Sequence, residues 1–402
     1  MLYGNRVKYS NVGLLLYHGK AGKAIPAGDG QEKAGLVGRR AEKATTVADG
    51  GSELSTGSLR AQTWVPEGLT DLYYPATAWR RGLEVRLASH LEERGYHEVN
   101  PCLLETWGEP VAAPPEAVLR VLDEQGRVLA LRSDFTPAVA RVGGSLLRHQ
   151  GAPIRLWYAG PVFRRRSPRQ VRGTETYQVG AELLGAEAGA EREMLSLAAG
   201  CLRAAGLREF ACVVGHSDLP ATLLAREGLP AATVGEALAF LREEDLVGFQ
   251  RLLERWGVPS RRWRRLIEAA EHDAAHAAHA AAQAEAADAA ATPLQAELAE
   301  VVRWAEGLFP GGVRLCPGLV PRPQYYDGPV FELYASVGRR KVGSGGRYRL
   351  ELPAEDGSSP VLSVPGVGFA LDIEELTMAL AQEGQAPASL RAMPTVVPCG
   401  IH

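Results

Sequence analysis

The segment from Arg155 to Gly185 (RLWYAGPVFRRRSPRQVRGTETYQVGAELLG) constrains the fold more than any other part of the chain. Both of its ends are rich in aromatic and aliphatic residues, and a charged stretch lies between them, which predicts two strands joined by a loop. Successive strand side chains point to opposite faces, so Gln178, Gly180 and Glu182 share one face and apolar residues share the other. An amide and a carboxylate on either side of a glycine are typical of a ligand-binding floor. A solvent-facing strand with ordinary polar residues would show the same pattern.

The composition is that of an ordinary soluble globular protein. Of the 402 residues, 46 % are hydrophobic and 23 % are charged, and the formal net charge of −3 creates no overall field that would favour nucleic acid. The five cysteines include no CxxC pair, which indicates a reducing compartment rather than a disulfide scaffold or a zinc ribbon. No apolar run approaches the roughly 18 residues that a membrane span needs, so we expect a cytoplasmic protein.

Three further elements are predicted around this segment. A helix from Ala76 to Arg94 would bury a stripe of residues that recur every fourth position, namely Trp79, Leu83, Leu87 and Leu91. Val118–Leu122 and Val128–Leu131 flank a turn sequence and are predicted to form a hairpin. The second hairpin strand continues into LRSDFTPAVAR, where Asp134 and Thr136 would share one face if the backbone stays extended before the next helix.

The middle of the chain is helical in pattern and contains two polar clusters. One helix is predicted to bury Leu246, Phe249, Leu252, Leu253 and Trp256. The basic cluster SRRWRR (residues 260–265) could bind a phosphate, an acidic partner or RNA, although most such clusters are solvated helix starts. His272, His276 and His279 share a helical face at metal-ligand spacing. They lie in an alanine-rich stretch without an organised carboxylate shell, so we expect no metal site.

Three stretches carry a family resemblance: LRSDFTPAVAR, YAGPVFRRR…TYQVGAELLG and YYDGPVFELYA…GSGGRY. Their order and spacing resemble the catalytic domain of class II histidyl-tRNA synthetases. The chain is more similar still to a paralogue of that domain, the regulatory subunit of ATP phosphoribosyltransferase. The resemblance extends from about Val65 to Leu376, apart from the divergent middle. It implies an α+β fold, with an antiparallel sheet flanked by helices and a helical insertion, which usually dimerises through its first long helix.

The resemblance also implies a domain organisation. Residues 64–215 and 311–380 would form the two parts of the synthetase-like core, and residues 216–310 the helical insertion. Residues 1–63 are rich in small and polar residues without sustained periodicity, so we expect a disordered extension. Residues 381–402 would be a short tail, and no anticodon-binding domain is expected after the core.

By the same resemblance, a histidine pocket is formed by Asp134, Thr136, Gln178, Glu182, Tyr325, Tyr326 and Tyr348. Carboxylate and amide oxygens can accept hydrogen bonds from an α-ammonium group and an imidazole N–H, and tyrosine rings supply flat apolar walls. Gly345 and Gly346 are expected to let the backbone approach the ligand. The tyrosines would otherwise simply pack a sheet.

The positions that hold ATP in the synthetases have changed. The hairpin arginine is retained as Arg164 and its loop partner as Arg172, which could contact an anion or be remnants of a nucleotide site. The loop glutamate is replaced by Arg166, and the arginine ahead of the tyrosine pair by Pro321. The sequence Glu374-Glu375 stands where the last synthetase motif has a Glu–Arg pair. A carboxylate in place of a cation opposes triphosphate binding.

These features predict a non-catalytic regulatory subunit. It would pair with the short catalytic ATP phosphoribosyltransferase, be required for that enzyme's activity in the first step of histidine biosynthesis, and convey the histidine level to it. We expect self-association through the synthetase-like core, and no cofactor, membrane or tRNA partner. The alternative is a diverged histidyl-tRNA synthetase or another ATP-dependent enzyme that activates amino acids.

Overall fold

The computed structural model describes residues 66, 68–107, 118–165, 173–186, 189–259, 293–323, 325–336, 339–352 and 362–387. These belong to one compact unit, residues 62–402. Several expectations fall outside the described residues, namely those for the extension at residues 1–63, the SRRWRR cluster, the three histidines, Arg166, Arg172 and the end of the tail.

The described residues form eight helices and eleven strands. The helices are α1 (Ala76–Glu93), α2 (Thr136–Gln150), α3 (Glu191–Ala205), α4 (Leu219–Arg226), α5 (Ala231–Arg242), α6 (Leu246–Arg255), α7 (Pro293–Ala305) and α8 (Ile373–Gln382). The strands are β1 (His97–Glu98), β2 (Leu104–Thr106), β3 (Arg120–Leu122), β4 (Val128–Leu131), β5 (Ile154–Phe163), β6 (Glu175–Leu184), β7 (Phe210–His216), β8 (Val313–Leu315), β9 (Tyr326–Ala335), β10 (Arg340–Leu352) and β11 (Leu362–Asp372). None of the helices in this part of the chain combines the length and the hydropathy that crossing a bilayer requires.

The main sheet has eight strands in the order β1-β5-β6-β11-β10-β9-β7-β8. The predicted hairpin forms its second and third strands, and β5 and β6 pair antiparallel from Ile154 opposite Leu184 to Phe163 opposite Glu175. Pairing is antiparallel from β5 across to β7, as expected, but β1 and β8 join the two edges in parallel. The small sheet and α2 lie between β1 and β5, and four of the described helices lie between β7 and β8, so both connections are long enough for the chain to return in the same direction. The sheet is therefore mixed rather than wholly antiparallel.

Each face of the main sheet carries a hydrophobic cluster. The larger cluster joins α1, α3, α7 and α8 to one face, and the predicted stripe of α1 enters it through Leu83, Leu87 and Leu91. The apolar side chains of β6 point to this face. The polar face of β6 therefore lies toward α2, on the opposite side, as the alternation predicts. Gly143 lets α2 approach closely, since a Cβ there would lie 1.9 Å from Leu184 Cδ1.

A small sheet of order β2-β4-β3 contains the second predicted hairpin. Leu122 pairs with Val128 at the turn, which confirms that prediction. The strand β4 ends at Leu131, and the chain passes directly into the segment that begins α2. The small sheet and the start of α2 are thus joined by a short segment of the chain.

Helices α4 to α6 share a hydrophobic cluster of their own, which includes Phe249, Leu252 and Leu253 of α6. The prediction that Leu246 and Trp256 are also buried was wrong, because their exposed fractions are 46 % and 51 %. Leu246 begins α6 and Trp256 follows its last residue, whereas the cluster covers only the middle of the helix. In contrast to these helices, α7 packs into the larger cluster of the main sheet.

Candidate functional site

The residues expected to hold a ligand lie on the α2 face of the main sheet or at its rim. They come from four places in the chain: the start of α2 (Asp134, Thr136), β6 (Gln178, Glu182), the start of β9 (Tyr325, Tyr326) and β10 (Tyr348). Hydrogen bonds and ring contacts connect most of these side chains. Each element contributes a few residues, so the site exists only when the sheet is assembled.

The start of α2 is shaped by a local turn. The Thr136 backbone N–H donates to Asp134 Oδ1 at 3.0 Å, which turns the chain into the helix. The backbone is therefore not extended here, and Thr136 is the first residue of α2. Both side chains still reach the site, since Thr136 bonds Glu182 and Asp134 bonds Tyr325.

Glu182 is the most deeply buried acid of the site, with an exposed fraction of 1 %. Its Oε1 accepts a hydrogen bond from Thr136 Oγ1 at 2.7 Å, while Oε2 is buried without a hydrogen-bond partner among the described residues. Burial raises the pKa of Glu182 to about 8, the hydroxyls of Thr136, Tyr348 and Tyr158 oppose this, and the Asp134 carboxyl adds to it. A buried polar atom without a hydrogen-bond partner costs about 1–3 kcal/mol, so a partner from outside the protein would bind favourably here.

The tyrosines form one cluster of rings. The Tyr325 ring centre lies 5.0 Å from that of Tyr326 and 5.6 Å from that of Tyr348. The Tyr325 hydroxyl donates to Asp134 Oδ2 at 2.8 Å, whereas the buried Tyr348 hydroxyl has no partner among the described residues. Burial raises the pKa of all three hydroxyls above the ordinary tyrosine value, so they remain neutral near pH 7. The rings pack as a core would, and two of the hydroxyls lie close to carboxyl groups.

The side chains of the site become more exposed from Glu182 toward the loop between β5 and β6. Gln178 is buried on β6 opposite Gly160, nearer to that loop. Arg164, just after β5, donates from Nε to the Ser133 carbonyl at 2.7 Å, and its Nη2 lies 3.9 Å from Asp134 Oδ2. The exposed side-chain fractions are 41 % for Arg164 and 13 % for Asp134. The inner end of the site thus consists of tyrosine rings and the Glu182 carboxyl, and its more exposed outer end carries the Arg164 guanidinium.

Sequence reasoning missed the residues that hold the start of α2. The guanidinium of Arg132 lies over the Phe135 ring, and Phe135 stacks on Tyr158 with a centroid distance of 4.1 Å. Phe135 stands between the two site residues of this segment, so the stack fixes both. The available signal was the arginine and phenylalanine within the segment LRSDF. Their contact partners are distant in sequence and could not be read from it.

The glycines make room for the protein itself. A Cβ on Gly345 would lie 2.2 Å from the Gly368 carbonyl, and one on Gly346 would lie 2.8 Å from the Pro329 carbonyl. These two glycines therefore allow neighbouring strands to approach, whereas their expected role beside the ligand stays a prediction. Gly180 leaves room for Tyr158, whose hydroxyl would lie 2.4 Å from an added Cβ. Gly368 accommodates Glu182, because a Cβ there would lie 1.7 Å from Oε2.

The two acids at the position of the last synthetase motif, and the arginine beside Pro321, have partners within the fold. Glu375 forms an ion pair with Arg340 at 2.5 Å, and Glu374 Oε2 accepts a hydrogen bond from the Tyr177 backbone N–H at 2.9 Å. Arg322, beside Pro321, lies 3.6 Å from Glu244 in the helical region. Within the described part of the chain, no group of three or more acids, histidines or cysteines is arranged to hold a metal ion.

Comparison with known proteins identifies the fold and the family. A sequence model of the histidyl-tRNA synthetase family matches residues 68–376. A crystal structure of an ATP phosphoribosyltransferase regulatory subunit/histidyl-tRNA synthetase from Bacillus halodurans is similar, with a TM-score of 0.64, 26 % identity and coverage of 79 % of this chain and 83 % of that one. An ATP phosphoribosyl transferase complex from Thermotoga maritima contains a chain with a TM-score of 0.53 at 19 % identity, which covers 73 % of this chain and 97 % of that one and shows the shared fold alone.

These matches confirm the expected class II synthetase-like fold. The ATP phosphoribosyltransferase regulatory subunit of Moorella thermoacetica is 34 % identical to this chain over 336 residues. The match covers 81 % of this chain and 84 % of that protein. This chain therefore belongs to the family of ATP phosphoribosyltransferase regulatory subunits.

Proposed function

We propose that this chain is a non-catalytic regulatory subunit of ATP phosphoribosyltransferase that binds histidine in the pocket around Glu182. In this role it associates with a separate catalytic subunit, and histidine changes the activity of the assembly. The relative from Moorella thermoacetica is named for that enzyme, which supports the partner. A ligand that binds one state of the assembly better shifts the equilibrium by the difference in its two affinities.

The unpartnered Oε2 of Glu182 is the observation that carries the ligand assignment. We place the imidazole ring at this buried end, between tyrosine rings that match its flat shape. The α-ammonium group then lies toward Asp134, and the α-carboxylate lies toward Arg164 at the more exposed end. Charged groups remain where water is nearer, and the ring occupies the apolar interior.

The charge pattern supports a role without catalysis. Amino-acid activation develops negative charge at the ATP phosphates, and enzymes stabilise that charge with preorganised cations. In this chain Glu375 occupies the position of such a cation and is itself engaged by Arg340. Pro321 replaces a second arginine. The inner end of the pocket keeps its acids and tyrosines, which suits binding of an amino acid more than reaction with a nucleotide.

Self-association through the synthetase-like core is part of the proposal. Tyr73 and Tyr74 precede α1 and are 80 % and 79 % exposed, and Val85 on α1 is also exposed. A second copy that covered these apolar side chains would remove them from water.

Calorimetric titration tests the ligand and the partner together. Histidine is titrated into the full chain, alone and mixed with the short catalytic subunit, and saturable binding is expected. Glu182→Ala should abolish binding without loss of the folded state, whereas Glu124→Ala, at an exposed turn position, should bind as the parent does. Binding that survives Glu182→Ala would show that the ligand lies elsewhere. Histidine-dependent ATP–pyrophosphate exchange by the purified chain would overturn the non-catalytic role.

A further inference from the structure

Glu182 is surrounded by neutral hydroxyls and one further acid. The groups that face it are Thr136 and Asp134 at the start of α2, Tyr158 of β5, Tyr348 of β10, and Tyr325 and Tyr326 at the start of β9, while Tyr96 lies close enough to be influenced by its charge. The neighbouring strand β11 contributes Gly368, which has no side chain to offer. No arginine or lysine of the described residues forms an ion pair with Glu182.

A carboxylate in these surroundings would be a buried charge without a countercharge. Such a group lowers its free energy by taking up a proton, because the neutral acid loses less when it leaves water. Thr136 already supplies a donor to Oε1, so the proton belongs on Oε2, the oxygen that has no partner. The neighbouring tyrosines stay protonated near neutral pH, since burial raises the pKa of each hydroxyl.

We propose that the empty site keeps one proton on Glu182, and that this proton becomes shared between Oε2 and the unprotonated ring nitrogen when histidine binds. The inference rests on the proposed function and concerns how the same pocket selects its ligand. The exchange is balanced within the site: any charge that the ring gains as imidazolium is matched by the carboxylate that Glu182 becomes. No proton passes to or from solvent while the free ring is neutral.

The pocket therefore selects its ligand by the basicity of the ring nitrogen. A neutral imidazole offers a lone pair to the acid proton, so the buried Oε2 gains a partner without creating an isolated charge. Phenylalanine has no such lone pair, and the indole N–H of tryptophan is a donor only, so both would leave the acid proton without an acceptor. An amino acid without a basic ring nitrogen therefore lacks a hydrogen bond that histidine makes.

The pH dependence of binding follows from the single shared proton. The affinity should be constant between the pKa of the free ring, about 6.5, and that of Glu182, about 8. Below this range the free histidine ring must lose a proton before the complex forms, and above it the Glu182 carboxylate must take one up. The affinity should therefore fall about tenfold per pH unit on each side.

The first experiment is calorimetry of histidine binding to the full chain near neutral pH, in two buffers that differ in ionisation enthalpy. The observed enthalpy should be the same in both, because no proton is exchanged. Release of one proton per site would show that Glu182 ends as a carboxylate whose proton has left for solvent, which overturns this inference and leaves the proposed function standing. If histidine does not bind at any pH, the proposed function fails and the inference falls with it.

The second experiment compares pH profiles. Glu182→Gln keeps the shape and hydrogen-bonding capacity of the side chain but does not titrate, so the alkaline fall that begins at the pKa of Glu182 should disappear. The acid fall should remain, and so should the alkaline fall caused by loss of the proton from the α-ammonium group of histidine. For the parent protein, triazolylalanine, whose ring is less basic, should show its acid fall at lower pH than histidine. An alkaline fall that begins at the same pH in Glu182→Gln as in the parent protein would contradict the proposal. So would acid falls that coincide for the two ligands, an outcome that does not depend on the variant.

Discussion

The guanidinium carbon of Arg132 lies 3.6 Å from the centre of the Phe135 ring. Arg132 is buried, and its two terminal nitrogens donate to the carbonyls of Pro101 and Pro161, each at 3.0 Å. Pro101 precedes β2 of the small sheet, whereas Pro161 lies within β5. One arginine therefore joins the small sheet, the main sheet and the segment that begins α2. The site depends on this junction, because the ring that the arginine covers is flanked by two ligand-site residues.

Arg132→Met should destabilise the protein substantially. The substitution removes the ring contact and leaves the carbonyls of Pro101 and Pro161 without their donors, so we expect the free energy of unfolding to fall by about 2–4 kcal/mol. Urea unfolding of the full chain measures this change. Arg127→Met is the matched control, since Arg127 is exposed and pairs with Asp123 at a turn. Its effect should stay below about 1 kcal/mol, and equal effects would show that the buried contacts contribute little.

Gly368→Ala should weaken histidine binding more than it weakens the fold. The new methyl group would lie 1.7 Å from Glu182 Oε2, so the carboxyl must move away from its present position. We expect at least a tenfold loss of affinity by calorimetry, of the order that misplacing one good hydrogen bond causes. Gly235→Ala serves as the control, because an added Cβ meets nothing within 4 Å in α5. That variant should bind histidine as the parent does and be slightly more stable.

Local pattern was sufficient for α1, for both hairpins and for the two faces of β6. Strand alternation placed Gln178 and Glu182 on one shared face, and the spacing of leucines gave α1 to within one residue of its observed end. Both are properties of neighbouring residues, which a sequence displays directly. The resemblance of three motifs then supplied the fold class, a sheet flanked by helices with a helical insertion.

Contacts between distant residues could not be predicted in the same way. The resemblance implies that Glu375 stands where the synthetases have an arginine, but not that Arg340, on another element, neutralises it. The sequence shows two glycines ahead of Tyr348, but not that neighbouring strands need the space they leave. These relationships arise only when the strands pair, because strand register decides which side chains meet.

Glu182 should make the stability of the empty protein depend on pH. Its pKa in the folded protein is about 8, compared with an ordinary value of 4.5, so the folded state binds more protons between these values. The stabilisation is complete below the lower pKa and is lost as pH rises through the higher one. Between about pH 5 and pH 8, the parent should lose about 3 kcal/mol relative to Glu182→Gln.

Urea unfolding of both proteins across this range, without histidine, measures the difference. Burial also raises the pKa of Glu374 to about 8, but Glu374 is present in both proteins and cancels from the comparison. Parallel curves for the parent and Glu182→Gln would mean that Glu182 is already ionised in the empty site. The same result would remove the physical basis for a proton held there.

Restoring the synthetase arginine at position 375 should destabilise this chain rather than return a nucleotide site. Glu375→Arg would place a guanidinium against that of Arg340, where the two side chains are now 16 % and 25 % exposed and attract each other. We expect the free energy of unfolding to fall by about 1–3 kcal/mol. ATP–pyrophosphate exchange should stay at background. Glu300→Arg, in an exposed pair with Arg192, should change stability by less than about 1 kcal/mol.

The exchanged pair tests whether the charge contact itself is responsible. Glu375→Arg combined with Arg340→Glu restores opposite charges and should recover most of the lost stability in urea unfolding. Recovery should be incomplete, because Glu375 lies in the first turn of α8, where an acid is favoured by the helix dipole and an arginine is not. A double variant no more stable than Glu375→Arg alone would show that position 375 requires glutamate for another reason. Full recovery would mean that the helix dipole contributes nothing measurable there.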